Sequence, residues 1–330
     1  MASIATKFAP DTRAFQTKLL AWYDAHARDL PWRENRDPYR VWISEIMLQQ
    51  TRVAAVIEHY HAFLRRFPTV KKLAGAREAS VLAAWSGLGY YRRARMLHAA
   101  AKTIARQRGG KFPDTAEQWR VLPGIGRYTA AAIASIALDE AVAVVDGNVE
   151  RVLQRTSGQP IAGDGLWQAA EELLDRSRPG DFNQAMMELG ATVCTPRAPA
   201  CLACPVIDLC ITRGEIPSAA KVPPQQKREI HYSLARRNHS VLLVQRPRDA
   251  SLMPGMWELP ELNVKRARRE TGSSPLFTLR HSITVTDYTV RIWNKDAQNG
   301  SQRWVPITRL PKLALTGLAR KILRKAELLS

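Results

Sequence analysis

Apolar residues keep one period through most of the chain and then change to another. Over residues 12–27, Phe15, Leu19, Leu20, Trp22 and Tyr23 share one face of a 3.6-residue period, which predicts a helix. Arg28-Asp-Leu-Pro-Trp-Arg33 interrupts it, and Asp37-Pro38 supplies a cap and a first-turn proline for a second helix to about Gln49. Thr51 is placed to cap a third helix reaching Phe67, with Val53, Val56, Ile57, Tyr60 and Leu64 inward. Shorter helices are predicted over 78–85, 92–106, 115–121, from about 128, over 149–156, 166–177 and 183–190, so the first 215 residues read as all-α. Pro217–Lys227 holds three prolines among small and polar residues and reads as a linker. Beyond it the period shortens to that of strands, at 240–245, 277–279, 283–286 and 289–293, before a terminal helix over 313–325. The expected plan is multidomain: a helical domain over 1–216, a linker over 217–230 and a mixed α/β domain over 231–330.

Composition changes this picture in one respect. Hydrophobic residues at 45% and charged residues at 24% are ordinary, but 49 Lys+Arg against 30 Asp+Glu leave a net charge of +19. Residues 221–330 carry +13 of it and residues 1–220 only +6. That excess points to a polyanionic partner. With no apolar stretch near the ~18 residues of a membrane span, nucleic acid is favoured over a membrane. The N-terminal residues lack the apolar core of a secretory signal, so a cytoplasmic, nucleoid-associated protein is expected.

Three features carry candidate chemistry. Leu122-Pro-Gly-Ile-Gly-Arg127 is a tight turn leading into a small-residue helix. Gly124 and Gly126 leave amide N–H groups uncovered beside Arg127, an arrangement suited to a phosphate, although a plain glycine-capped turn has the same sequence. Two acids stand out: Glu45, among Ile43, Ile46, Met47 and Leu48, and Asp146, in Asp-Gly-Asn. Glu45 is either on the wet face of its helix or buried with a raised pKa, and Asp146 is either a turn former or a placed carboxylate. All four cysteines, Cys194, Cys201, Cys204 and Cys210, form C-x6-C-x2-C-x5-C. Four thiolates in so short a segment can wrap one metal centre, either Zn(Cys)4 or [4Fe–4S]. The single CxxC favours the iron–sulfur cluster, in a structural role.

The combination of LPGIGRYTA, VVDGNVERV and the cysteine tail resembles the helix-hairpin-helix DNA glycosylases with a [4Fe–4S] cluster, the endonuclease III superfamily. PWR (31–33), PYRVWISEIMLQQT (38–51), GLGYYRRAR (87–95) and FNQAMMELG (182–190) are similar to the MutY-type adenine glycosylases, which act on adenine opposite 8-oxoguanine. The resemblance covers about residues 20–212. It implies a six-helix barrel module, a cluster module and a Nudix-like C-terminal domain, in a monomer that binds duplex DNA with an A:8-oxoguanine or A:G mismatch. It also implies that the hairpin (Gly124, Gly126, Arg127) grips a DNA phosphate, often with an alkali cation on its carbonyls.

Glu45 then protonates adenine, Asp146 stabilises or captures C1′, and Tyr128 hydrogen-bonds in the same pocket. Arg28, Trp32 and Gln184 match the adenine pocket. Gln50 and Tyr90 match the residues that wedge into the duplex, with Arg33 and Thr51 as further contacts. Bifunctional members have Lys where this chain has Tyr128, so a Schiff-base lyase route through that position is not expected.

The family reads 8-oxoguanine with a Phe-Ser-His loop. Here Arg280-His-Ser-Ile-Thr-Val285 stands in its place, so Ile283, Thr284 and Val285 occupy the loop and its His is absent. Recognition would fall to Thr284 and backbone groups, assisted by Ser282 or His281. LMPGMWELPE (252–261) resembles the Nudix-like core. Residues 266–272 offer only Glu270 where a pyrophosphatase needs an acidic box, so no nucleotide hydrolysis is expected. A mismatch thymine glycosylase and a non-catalytic iron–sulfur DNA-binding protein are the alternative readings. Glu45 and the C-terminal domain argue against the first, and the pair of acids argues against the second.

Overall fold

The computed structural model describes residues 11–215, 226–262, 274–283, 286–294 and 302–329. The helices are α1 Thr12–His26, α2 Pro38–Leu48, α3 Val53–Arg66, α4 Val70–Ala74, α5 Glu78–Trp85, α6 Tyr91–Gln107, α7 Ala116–Arg120, α8 Arg127–Leu138, α9 Gly147–Ser157, α10 Asp164–Leu173, α11 Pro179–Thr192 and α12 Gly317–Lys325. The strands are β1 Gln226–Ser233, β2 Arg236–Arg237, β3 Ser240–Gln245, β4 Trp257–Glu258, β5 Glu261–Leu262, β6 Phe277–Ile283, β7 Thr286–Trp293 and β8 Gln302–Pro306.

Two compact units emerge, and each draws on more than one stretch of the chain. One comprises residues 1–60, 69–71 and 99–219; the other comprises 61–68, 72–98 and 220–330. In the first unit, α2 packs on α8, α7 on α8, and α11 on α1, α8 and α9. Its apolar cluster takes Phe15, Leu19, Val152, Leu153, Leu173, Phe182, Met186 and Leu189 from α1, α9, α10 and α11. The helix starts follow local chemistry. Asp11 and Asp37 accept from Ala14 N and Tyr39 N, and Pro38 occupies the first turn of α2, where its missing N–H costs no bond. α3 begins at Val53, later than a Thr51 cap would place it, and the Thr51 hydroxyl donates to the Gln49 carbonyl.

Close packing of α11 on α9 depends on Gly190. A Cβ there would lie 2.5 Å from the Asn148 Cβ and 2.9 Å from its Cα, so any side chain would push the start of α9 away. Asn183 of α11 ties three partners with its amide. It donates to Ser135 Oγ and the Val142 carbonyl, both at 2.9 Å, and accepts from Val144 N at 3.1 Å. This pins the connector that delivers Asp146.

The second unit contains two sheets. One has the order β5-β1-β7-β6, with β1 and β7 parallel and the other pairs antiparallel; the other sheet has β3 between β8 on one side and β2 and β4 on the other. β1 opens at Gln226, inside the expected 217–230 linker, because its partner is β7, sixty residues on. No local pattern announces such a pairing. Residues 217–225 lie outside those described. The separate strands expected at 277–279, 283–286 and 289–293 are one antiparallel pair, β6 with β7, in register from Phe277↔Ile292 to Ile283↔Thr286. On edge strand β6, Lys325 and Lys321 of α12 donate to the Thr278 and Arg280 carbonyls, occupying backbone acceptors that an open edge would offer to another chain.

Candidate active site

A cavity of about 700 Å³ opens in the first unit, lined from α2, α8, α9 and α11 and from the turns before and after α2. Glu45, Tyr128, Asp146, Arg28, Trp32, Arg33, Gln50, Thr51, Gly126, Arg127 and Gln184 all line it. Eleven residues scattered over 157 positions of sequence thus share one concavity.

The packing of α2 on α8 decides the state of Glu45. Its residue is only 6% exposed, which resolves the choice left open by sequence in favour of burial. Burial pushes its carboxyl up to about 7; a hydrogen bond from Tyr128 opposes the rise, the nearby Asp146 charge adds to it, and Arg33 lowers it. Tyr128 Oη donates to Glu45 Oε2 at 2.8 Å and lies 3.4 Å from the Met187 sulfur. The phenol is itself held far above its ordinary range by burial and by the two acids, so it stays a donor.

Asp146 is the N-cap of α9. Its Oδ1 accepts from the Asn148 and Val149 amides at 2.9 and 2.8 Å, and its Oδ2 from Asn148 Nδ2 at 2.8 Å. Three donors and the positive end of a helix hold this carboxylate in place at the cavity wall. Asn148 is held in turn: Arg151 donates to its Oδ1 at 2.8 Å, and also to the Gly190 carbonyl at 2.6 Å and the Cys194 carbonyl at 2.7 Å. A continuous line of hydrogen bonds therefore runs from the first cysteine to Asp146.

Sequence reasoning missed the residue that organises the adenine-pocket candidates. Glu188, 1% exposed, takes both ends of the Arg28 guanidinium and accepts from Arg33 Nη2 at 2.9 Å. Burial pushes its carboxyl up, but the Arg28 and Arg33 bonds outweigh this and hold it below the ordinary range. Arg33 Nε donates to Gln184 Oε1 at 3.1 Å. A guanidinium only donates, so the amide oxygen faces it and the Gln184 NH2 remains for the cavity. Trp32 packs edge-on against Tyr60, 5.5 Å between ring centroids. Glu188 is four residues past Gln184 in FNQAMMELG, the one signal from which it could have been read.

In the hairpin between α7 and α8, Gly124 adopts φ 76°, a conformation that favours glycine. Gly126 caps α8 without a side chain, and a Cβ there would meet nothing within 4 Å. No side chain therefore covers the start of α8, the bare helix N-terminus that suits an anion. Arg127 is engaged elsewhere: it pairs with Asp164 at 3.0 Å and lies over the Trp167 ring at 3.9 Å, both on α10.

The four cysteines are free thiols. Burial, and then the charges of Cys194, Cys210 and Cys201, push Cys204 up to about 11, so the four sulfurs share one neighbourhood. Cys194 and Cys204 pack against the α1–α11 apolar cluster. Arg155 of α9 donates to Cys194 Sγ at 3.3 Å and to the Thr195 and Pro196 carbonyls. Among the described residues, no three His, Cys, Asp or Glu side chains gather closely enough to hold a single metal ion. Four free thiols and no disulfide are a donor set that suits thiolate ligation of a metal centre, zinc or iron–sulfur.

Gln50 and Tyr90 are both non-glycine residues with positive φ, 53° and 46°, a strained backbone that concentrates at functional turns. Gln50 lines the cavity; Tyr90, 51% exposed, belongs to the second unit. Ser282 is exposed at the end of β6 and donates to Asp287 Oδ1 at 2.5 Å, and Ile283 closes that strand. Burial and then Lys321 hold His281 below the ordinary imidazole range, toward the neutral ring. Thr284, Val285 and the 266–272 segment lie outside the described residues. No described helix is long and apolar enough to cross a membrane.

This fold and cavity are those of a base-excision DNA glycosylase. The family model of the HhH-GPD superfamily of base excision DNA repair proteins matches residues 43–163. A solved thermostable thymine-DNA glycosylase is similar with a TM-score of 0.57 and 29% identity, over 61% of this chain and 96% of that one. Endonuclease III in a covalent DNA intermediate has a TM-score of 0.54 at 20% identity, over 61% and 94%, and shares the fold. The adenine DNA glycosylase of Mus musculus is 40% identical over 96% of this chain and 78% of that protein. That of Homo sapiens is 48% identical over 62% and 40%, and that of Mycobacterium tuberculosis is 43% identical over 64% and 71%. The chain belongs to the adenine DNA glycosylase family, within the endonuclease III superfamily.

Proposed function

We propose that this protein removes adenine from A:8-oxoguanine or A:G pairs in duplex DNA, with Glu45 as general acid and Asp146 as the carboxylate facing the sugar. The observation that carries the reading is a buried carboxyl titrating near neutrality, fixed by a phenol, in the same cavity as a second carboxylate. Cleavage of an N-glycosidic bond needs that division of labour. Glu45 gives its proton to N7 as the C1′–N9 bond breaks and the bonding pair leaves with the base. Positive charge grows on C1′ and its ring oxygen, where the Asp146 carboxylate stabilises or captures it; water then adds its hydroxyl to C1′ and gives its proton back to the Glu45 carboxylate. Tyr128 keeps Glu45 in orientation. It has no amine, so no Schiff base forms there and the reaction ends at base removal.

Reaching the cavity requires the adenine to leave the stack, which costs a few kcal/mol. Gln50 and Tyr90 are each read as wedges into the duplex, Thr51 and Arg33 assist, and Gly124, Gly126 and Arg127 take a backbone phosphate with an alkali cation on the hairpin carbonyls. Trp32, Gln184 and the Arg28–Glu188–Arg33 group receive the base. Cys194, Cys201, Cys204 and Cys210 would hold a [4Fe–4S] cluster, which when bound supplies a structural cross-link of the loop. The domain over 231–330 is taken as Nudix-like and as the reader of 8-oxoguanine, through Ser282, Ile283, Thr284 or His281. The monomer acts on nucleoid DNA in the cytoplasm.

Release of adenine from matched duplexes tests the whole reading. A:8-oxoguanine should be processed, and a G:T duplex should not lose thymine. Thymine release, or no base release, would support one of the alternative readings.

A further inference from the structure

The turn that carries Tyr90 is held from the far end of the chain. Ser86 and Tyr91, which flank the turn between α5 and α6, are both buried. Both hydroxyls donate to one acceptor, the Leu315 carbonyl, at 2.8 and 3.0 Å. That carbonyl cannot drift: Trp257 N donates to Ala314 O at 2.8 Å and Thr316 N donates to Trp257 O at 2.9 Å, so β4 pins the backbone on either side of it. Arg320 of α12 adds a third tie, donating from Nε to Ser86 Oγ at 3.0 Å. Within the turn, Trp85 Nε1 donates to the Gly89 carbonyl, and the Arg93 guanidinium lies over both the Trp85 and Tyr90 rings, 5.6 and 5.4 Å from their centroids. Tyr90 itself has φ 46° and half its surface open. A strained, exposed aromatic persists only where its surroundings over-determine it. Here part of that determination comes from within the turn, and part from the C-terminal segment through Ser86 and Tyr91.

We propose that Ser86, Tyr91 and Arg320 are positioning residues: through the Leu315 carbonyl, the C-terminal segment sets the Tyr90 ring for insertion into DNA. The proposal rests on the reading of Tyr90 as a duplex wedge. It gives the basic C-terminal residues a task besides contact with the opposite base, since they also fix a side chain carried by the helical sequence. Loss of the C-terminal grip would leave Tyr90 present but free to relax to an unstrained backbone.

The test uses the full chain and a duplex with 2′-fluoro-2′-deoxyadenosine, which resists excision, opposite 8-oxoguanine, with 2-aminopurine beside the oxidised base. Fluorescence reports stacking at that step, and titration gives Kd. Ser86→Ala combined with Tyr91→Phe, which keeps the ring, should lose most of the Tyr90-dependent fluorescence change. It should also weaken binding about tenfold, within the range of one base–aromatic stack. Adding Tyr90→Ala should then cost little more. Ser86→Thr, which keeps the hydroxyl, should restore the signal, and thermal unfolding identifies any variant that fails to fold. Full signal in the Ser86→Ala/Tyr91→Phe protein, or penalties that add to that of Tyr90→Ala, would overturn the proposal while leaving the wedge reading intact. No change in Tyr90→Ala alone would overturn the wedge reading itself.

Discussion

Tyr128 and Glu45, 83 residues apart in sequence, meet in a 2.8 Å hydrogen bond at the wall of the cavity. The bond donates to the acid and so favours its ionised form, yet burial outweighs it and the carboxyl rises to about 7. Tyr128→Phe removes that opposing influence. The alkaline limb of its pH–rate profile should therefore move to higher pH than in the native protein, while the maximal rate falls because the acid is less well oriented. Single-turnover excision across pH 5–9 measures both effects.

The same pKa has a consequence for stability. Glu45 has a folded-state pKa above its unfolded one, so its contribution is fully present below about 4.5 and is lost as pH rises toward 7. By linkage the loss approaches about 3 kcal/mol. Replacing Glu45 with Gln should flatten that slope, an outcome read from urea unfolding at pH 5 and pH 8. An unchanged slope would place the titration elsewhere.

Asp146 caps α9 and is the carboxylate proposed to face the sugar, and one substitution separates the two. Asn can still cap α9 through its oxygen but loses the bond from Asn148 Nδ2, so Asp146→Asn should cost only about 1 kcal/mol of stability. Its excision rate should nevertheless fall by at least about 100-fold, the scale on which a charge facing a developing cation acts. Arg151→Ala should lower the rate without abolishing DNA binding, since Arg151 orients Asn148 and through it Asp146.

Much of this site could be read from the sequence, and the limit is instructive. Asp37-Pro38 marks the start of α2, and the hairpin glycines mark α8, because caps and turns are decided by neighbours a few residues away. Glu188 is not legible locally because its partners Arg28 and Arg33 are 160 and 155 residues distant. The Asp164 and Trp167 partners of Arg127 likewise arrive only with α10. The start of β1 is hidden for the same reason: its register is set by β7.

Glu188 is buried between two guanidinium groups, of which Arg33 is half-buried and Arg28 reaches solvent. Glu188→Gln should destabilise the protein by about 2 kcal/mol, because the two cations lose their counter-charge and the Arg28 cation is partly screened by water. Its depressed pKa predicts stability that is present above the ordinary carboxylate range and lost as pH falls through the folded value. Thermal unfolding of the two proteins between pH 3 and pH 7 should converge at the acid end.

The cysteine loop makes a spectroscopic prediction. Protein purified without chelator should absorb near about 400 nm and contain iron, and Cys204→Ala should lose both. Zinc in place of iron, with no visible band, would identify a mononuclear thiolate site instead.

Single-turnover excision from an A:8-oxoguanine duplex decides whether Glu45 is the acid that releases adenine. Glu45→Gln should bind the duplex with native affinity and release no measurable adenine, while the native rate should fall above about pH 7 as the carboxyl ionises. Adenine release by Glu45→Gln at near the native rate would contradict that role.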